Sequence, residues 1–275
     1  MEIVGTGFLA RSLRPLAGRH PGTVALAAGE SRTSGASDAD YAREAALLRD
    51  VAKQCAANGQ LLLFFSTAAT GMYGLTEGPG REDTPVTPAT PYGAHKLALE
   101  EQLRDSGTDH LILRLAHLVG PHGRYHQLIP TLVRQVRGGV VSLHRGAARD
   151  LIGVGDMLMI IDRLLAAGLR ADTVNVASGF AVPVEDIVDH LARALRLVPR
   201  KRYVEVGVAG VEYAISTEKL RALVPHVADL GFGPDYYRRV LNDFIAADQA
   251  RPGRALLTRK AGSFSDAVVP LTPDA

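Results

Sequence analysis

The chain has 275 residues, enough to bury a substantial core as one large domain or two small ones. Apolar residues make up 47% and charged ones 22%, with a net charge of +2 and both signs interspersed, which argues against a nucleic-acid surface. The single Cys55 excludes an internal disulfide and a multi-cysteine metal site, and no apolar run reaches the roughly 18 residues of a membrane span. With no charged-then-apolar leader at its start, the chain reads as soluble and cytoplasmic, with no membrane or nucleic-acid partner.

"MEIVGTGFLARSLRPLAG" predicts a short strand, a glycine turn and a helix running to about Leu16. "TVALAAG" (23–29) predicts a second apolar strand ending in small residues. "DADYAREAALLRDVAKQCAANG" has helical apolar spacing, an Asp at its start and Asn58-Gly59 as its stop, with Cys55 on the buried side. "QLLLFFSTA" is a continuous apolar run, the pattern of a strand covered on both faces. A loop rich in Gly, Pro and Thr (71–91) leads into a helix carrying Tyr92 and Lys96, and "DHLILRLAHLVGP" predicts one more buried strand. This alternation predicts an α/β fold with a parallel sheet and right-handed crossovers.

Beyond residue 121 the pattern loosens. "QLIPTLVRQVRGG" predicts a helix, "VVSLHRG" a strand, "VGDMLMIIDRLLAAG" a helix and "DTVNVASG" a strand. "PVEDIVDHLARALRL" is an amphipathic helix with Pro183 near its start, and "STEKLRALV" and "PDYYRRVLNDFIAAD" are helical, with Tyr236 and Tyr237 as packing residues. Residues 251–275 read as a tail or arm.

Chemistry enters with Gly5-Thr6-Gly7-Phe8-Leu9-Ala10, which joins the first strand to the first helix. Small residues there let the backbone approach a diphosphate; the plain alternative is a tight turn. Ala27-Ala28-Gly29 and Ser66-Thr67 end the next two strands, and ligands of parallel sheets collect at those ends. Ordinary caps and turns are the alternative for these groups. Tyr92 and Lys96 stand one helical turn apart, a spacing that by itself also suits a surface contact. Beside a hydroxyl from Thr67 or Ser66, however, the phenol gains a second donor for one substrate oxygen. Tyrosine titrates near pH ~10, and an ammonium one turn away stabilises the phenolate. This equipment moves a proton on and off a carbinol oxygen while hydride moves at carbon, so a hydride-carrying cofactor is required. His117, His122 and His126 lie in a Gly-Pro loop without a carboxylate or cysteine nearby, which argues against a metal.

The glycine turn, "FFSTAATGMYG", "TPYGAHK", "LRLAHLVGP" and "RGAARDLIGVGD", in that order, resemble the extended short-chain dehydrogenase/reductases that act on nucleotide sugars. The resemblance covers roughly residues 1–245. It implies a Rossmann-like dinucleotide-binding domain over 1–120, a small substrate-binding lobe over 121–250 with a sheet segment returning near 172–179, and a possible homodimer through the faces of 41–57 and 93–104. It implies that Tyr92 is the catalytic acid/base, that Lys96 is its partner and holds the nicotinamide ribose, and that Thr67 positions the carbonyl with Ser66 as fallback. It also implies that Arg149 binds the diphosphate of a nucleotide-sugar substrate.

Three departures from the family shape the expected function. His117 stands where the family has Asn, so a substrate contact differs, and Ser66 and Thr67 are followed by Ala68 and Ala69 where dehydratases carry acids. Two strand–helix units, roughly 50 residues, are missing between the first helix and "VALAAG", and these units normally hold the adenosine. A reductase exchanges cofactor at every turnover and tolerates the looser grip. The expectation is therefore a 4-ketoreductase of a nucleotide-linked keto-deoxysugar. A 4-epimerase is the alternative within the family, and a non-catalytic dinucleotide or sugar-nucleotide sensor the alternative outside it. With no ribose-reading acid evident, Arg11 and Arg32 are available to meet a 2'-phosphate, which favours NADP(H) over NAD(H).

Overall fold

The computed structural model describes residues 1–30, 35–76, 78–204 and 214–250. Arg32 and the tail at 251–275 lie outside them. In chain order, β1 (Glu2–Val4), α1 (Phe8–Ser12), β2 (Thr23–Leu26), α2 (Asp38–Asn58), β3 (Leu61–Thr67), α3 (Thr70–Tyr73), α4 (Pro91–Asp105) and β4 (His110–Leu115) form the first half. There follow β5 (His117–Val119), α5 (Leu128–Arg137), β6 (Val140–His144), β7 (Ala148–Gly153), α6 (Val154–Ala166), β8 (Asp172–Val176) and β9 (Ala181–Pro183). The last elements are α7 (Val184–Leu195), β10 (Arg200–Val204), α8 (Glu218–Leu223) and α9 (Tyr236–Gln249).

The main sheet is five-stranded and parallel throughout, in the order β1-β2-β3-β4-β8. Its apolar runs alternate between two covered faces, as the period of two requires. Val24, Leu26, Leu62, Phe64 and Ile112 pack with Leu48, Ala52, Leu99 and Leu103 of α2 and α4. Ala25, Leu63, Phe65, Leu111, Leu113 and Val174 pack with Met157, Ile160 and Ile161 of α6. Burying each such side chain contributes roughly 1.5–3 kcal/mol. A full doubly wound sheet has further strands on the far side of its first strand. Here β1 is the edge among the described residues, so the sheet is short on that side.

Local sequence sets the two helices that flank the site. α2 begins at a reciprocal cap, in which Asp40 N–H donates to Ser37 Oγ (3.2 Å) and Ser37 N–H to Asp40 Oδ2 (2.8 Å), and stops at Gly59 in the left-handed region (φ 61°). α4 begins where Gly93 N–H donates to Thr90 Oγ1 (3.1 Å), with Pro91 in the first turn. The first helix is shorter than the sequence predicts. α1 covers only Phe8–Ser12, and a separate 3₁₀ turn takes Arg14–Leu16 because Pro15 has no N–H to continue the α pattern.

The stretch read as one strand over 109–121 is two. β4 ends at Leu115, Ala116 N–H still donates to Val176 O (3.0 Å), and β5 then leaves to pair with β7. β5, β7 and β9 form one small sheet and β6 with β10 another, elements whose short runs carry little periodicity. A second core of Ile129, Leu132, Val136, Leu143, Leu151, Ile187, Leu191, Val240, Leu241 and Phe244 joins α5, α7 and α9 to these strands. Tyr236 and Tyr237 are buried in it, and Tyr236 also donates its hydroxyl proton to Asp156 and accepts Gly153 N–H (3.0 Å). Among the described residues no helix is long and apolar enough to cross a membrane.

Candidate active site

A cavity of about 1020 Å³ opens along the carboxyl ends of β1 to β4. Its lining brings together Gly5, Gly7, Phe8 and Leu9 of the turn, Gly29 after β2, Ser66 and Thr67 of β3, Tyr92 and Lys96 of α4, and His117 of β5. The parallel order dictates this convergence, because every strand of such a sheet delivers its following loop to one edge.

The glycine turn is backbone pressed on backbone. Gly5 has φ +133°, and a Cβ there would stand 2.4 Å from Ala27 O, so only glycine lets β1 turn beside β2. A Cβ on Gly7 would meet no backbone, only the guanidinium of Arg124, so the main chain stays open to a close-lying group. At Gly29 an added Cβ would stand 2.4 Å from Glu44 Oε1 and 3.0 Å from Lys96 Nζ. These three bare positions form a cradle suited to a diphosphate and ribose.

Lys96 is buried, with its Nζ 5.6 Å from the Tyr92 ring centre and 5.7 Å from that of Phe64. It donates to Glu44 Oε1 (2.7 Å), and Glu44 Oε2 accepts from His95 Nε2 (3.0 Å) and from Glu30 N–H (3.0 Å). Tyr41 stacks on His95 at 4.3 Å between ring centres. Burial alone raises the Glu44 pKa, but the bonds from His95 and Lys96 outweigh it and bring the pKa down to about 2. Burial likewise pulls Lys96 down, and the neighbouring Tyr92 and Glu44 more than offset it, so the ammonium is held above its ordinary value. The ion pair thus keeps a full positive charge beneath Tyr92 at every pH near neutrality.

Thr67 Oγ1 accepts Ala69 N–H (3.1 Å), which fixes its rotamer and leaves the hydroxyl proton to donate into the cavity. Ser66 also lines the cavity, with its side chain alternating from that of Thr67 and approaching Glu100. His117 is pushed down to about 3, first by burial and then by Arg149, so its ring is neutral. Its buried Nδ1 has no hydrogen-bond partner among the described residues.

Two residues singled out from the sequence sit elsewhere. Arg149 is buried and donates to Ala148 O (2.8 Å), and it does not line the cavity; it reaches the site through its charge on His117. Arg11 bonds Gly7 O (3.3 Å) from outside the lining. Among the described residues no group of three metal-ligating side chains occurs.

Glu44 was not singled out, although its position carried a signal. It falls on the stripe of Leu48, Val51, Ala52 and Cys55, and an acid on the apolar stripe of a helix requires a buried partner. Arg124 gave none, because an arginine in a Gly-rich loop looks like any solvated charge.

A sequence model of the NAD dependent epimerase/dehydratase family matches residues 11–177. The chain is 42% identical over 83 residues to a UDP-glucose 4-epimerase of Azospirillum brasilense, a match covering 28% of this chain and 23% of that protein. It is 25% identical over 214 residues to a dTDP-glucose 4,6-dehydratase of Streptomyces niveus, covering 72% of this chain and 60% of that one. The matches thus span less than two thirds of the length of either relative. Among solved structures, MoeE5 in complex with UDP-glucose and NAD superposes with a TM-score of 0.72 at 21% identity, over 90% of this chain and 99% of that one. RMD from Pseudomonas aeruginosa complexed with NADPH gives a TM-score of 0.66 at 21% identity, over 88% of each chain. These structures share the fold, and the sequence match extends over more than half of the described protein, through β2, β3, α4 and β4. The chain belongs to the NAD dependent epimerase/dehydratase family, the extended short-chain dehydrogenase/reductase type whose resemblance its motifs carry.

Proposed function

We propose that the protein is an NAD(P)H-dependent reductase of a nucleotide-linked 4-keto-deoxysugar. The observation that carries the reading is that Thr67, Tyr92 and Lys96 line one cavity, with Ala68 and Ala69 in place of acids for elimination. In this reading the cofactor, when bound, supplies hydride from its nicotinamide to the carbonyl carbon. The residues do the rest. Tyr92 gives its phenolic proton to the carbonyl oxygen, Thr67 donates a hydrogen bond to the same oxygen, and Lys96 stabilises the phenolate left behind until solvent reprotonates it. Glu44 holds Lys96 in place. His117, neutral and half-buried, faces the sugar where it donates or accepts one hydrogen bond.

The glycine turn and Gly29 fit the diphosphate and the nicotinamide ribose, and the short sheet offers little to the adenosine. NADPH is favoured over NADH on Arg11 beside the turn and on the sequence reading of Arg32, which lies outside the described residues. A loose adenosine site suits a cofactor that leaves after each turnover. The 83-residue likeness to a 4-epimerase favours one second reading, a 4-epimerase that retains its NAD.

The test follows reduced-nicotinamide absorbance in the presence of a deoxythymidine-diphosphate 4-keto-deoxysugar. Sugar-dependent consumption of NADPH supports the reductase. NAD that survives purification, with no net consumption, supports the epimerase. Tyr92→Phe is expected to lower turnover roughly 10²- to 10⁴-fold while ligand affinity stays within about twofold. Unchanged turnover in that variant sinks the assignment of Tyr92.

A further inference from the structure

The loop after β5 folds back over the glycine turn. Gly123 N–H donates to Gly120 O (3.2 Å), Gln127 N–H to Arg124 O (3.0 Å) and Arg124 N–H to Gln127 Oε1 (2.8 Å), so the loop is internally braced. Arg11 Nη2 donates to His122 O at 3.5 Å from the α1 side. From this platform Arg124 lines the cavity and sets its Nη2 3.1 Å from where a Cβ on Gly7 would stand, with Cζ at 3.7 Å. Two acids of the cavity wall are held by other groups. Glu44 accepts from Lys96 and His95, and Asp40 from Ser37 and Arg43.

We propose that Arg124 reaches across the cavity to hold the diphosphate of the dinucleotide against the glycine turn. This rests on the reading of the protein as dinucleotide-dependent. The turn opens into a helix of five residues, whose few aligned peptides offset little of a doubly negative group. No strand beyond β1 supplies another hold among the described residues. A guanidinium pairs with phosphate oxygens through two parallel N–H bonds, which an ammonium cannot copy. The grip therefore comes from the substrate side of the cavity and stands in for the missing adenosine strands. A sugar nucleotide also carries a diphosphate; the place of the guanidinium beside Gly7 assigns it to the dinucleotide.

Calorimetric titrations of NADPH, ADP-ribose and UDP into wild type, Arg124→Ala and Arg124→Lys test this at two salt concentrations. ADP-ribose carries the diphosphate without the nicotinamide. Arg124→Ala is expected to weaken NADPH and ADP-ribose alike by roughly 10- to 100-fold and to flatten their salt dependence. Arg124→Lys should recover part of the loss, and UDP affinity should stay within about twofold. Thermal midpoints of the unliganded variants should match wild type, since the side chain is exposed. Equal dinucleotide affinity in wild type and Arg124→Ala overturns the proposal alone. A loss confined to UDP overturns it too and hands Arg124 to the sugar nucleotide. A wild type that binds neither NADPH nor ADP-ribose overturns the functional reading and this proposal with it.

Discussion

Glu44 shows what a single residue does here that its sequence neighbours do not reveal. It lies 52 residues from Lys96, and the two meet only because β2 and β3 bring α2 and α4 onto one face. Removing one partner of a buried pair strands the other charge, at a cost of about 3–5 kcal/mol. Glu44→Ala should therefore lower the free energy of chemical unfolding by about that much, and Glu44→Gln by less, because its amide oxygen still accepts from Lys96. The carboxylate's pKa is depressed from 4.5 to about 2 on folding. Its stabilisation is then fully present above pH about 4.5 and is lost as pH falls toward 2. The stability difference between wild type and Glu44→Gln, followed by urea titration, should shrink as pH falls across that window. Tyr92 and Lys96, by contrast, were legible in the sequence. Their relation is local, one helical turn, and needs no tertiary knowledge. The choice between Ser66 and Thr67 was not legible, because neighbouring strand residues point to opposite faces and both line the cavity.

α4 carries Tyr92, and its position is set at two places. Gly93 is packed so closely that a Cβ would stand 2.1 Å from Gly71 O of α3. Further along, Glu100 accepts from Arg114 Nε (2.9 Å) and Nη2 (2.8 Å), which ties the middle of the helix to β4. Arg114 Nη1 also donates to Tyr73 Oη (2.7 Å), and Tyr73 donates to Asn175 Oδ1 (2.9 Å), so α3, α4, β4 and β8 share one buried polar network. Gly93→Ala must push the first turn of α4 away from α3 and Tyr92 with it. Turnover should fall at least about tenfold, out of proportion to any change in the melting temperature, since the rest of the helix stays anchored. Equal activity in Gly93→Ala would mean that the helix start is free to adjust. Elements with long periodic runs, such as α2, β3 and α4, were readable from spacing and caps. The break between β4 and β5 was not, because Ala116 interrupts no apolar pattern; only the pairing of His117 with Leu151 moves the chain to another sheet.

At the scale of the molecule, two cores meet at one cavity, with the glycine turn, Gly29, Thr67 and Tyr92 on the side of the main sheet and Arg124 on the loop after β5. A ligand contacting both sides stabilises the folded state by mass action. Dinucleotide at 100 times its dissociation constant should add about 2.7 kcal/mol, which for a chain of this size raises the melting temperature by roughly 5–10 °C. Thermal scanning with NADPH and NADH measures this directly, and an unmoved midpoint with both counts against a cofactor site. The strand count was legible as a missing stretch between α1 and β2. The consequence for strand order was not visible in any one segment, because order is a property of how strands pair.

That order leaves β1 with one neighbour. A parallel sheet is ordinarily sheltered on all sides, and its outermost amides and carbonyls here have no strand to answer them among the described residues. The exposed flank is only three residues long and carries Glu2, which is exposed at its start. A charge on so short a flank discourages a second molecule from docking strand to strand. Glu2 is the charge on this flank. Exchanging it for valine should leave catalysis untouched and show itself as concentration-dependent self-association in light scattering.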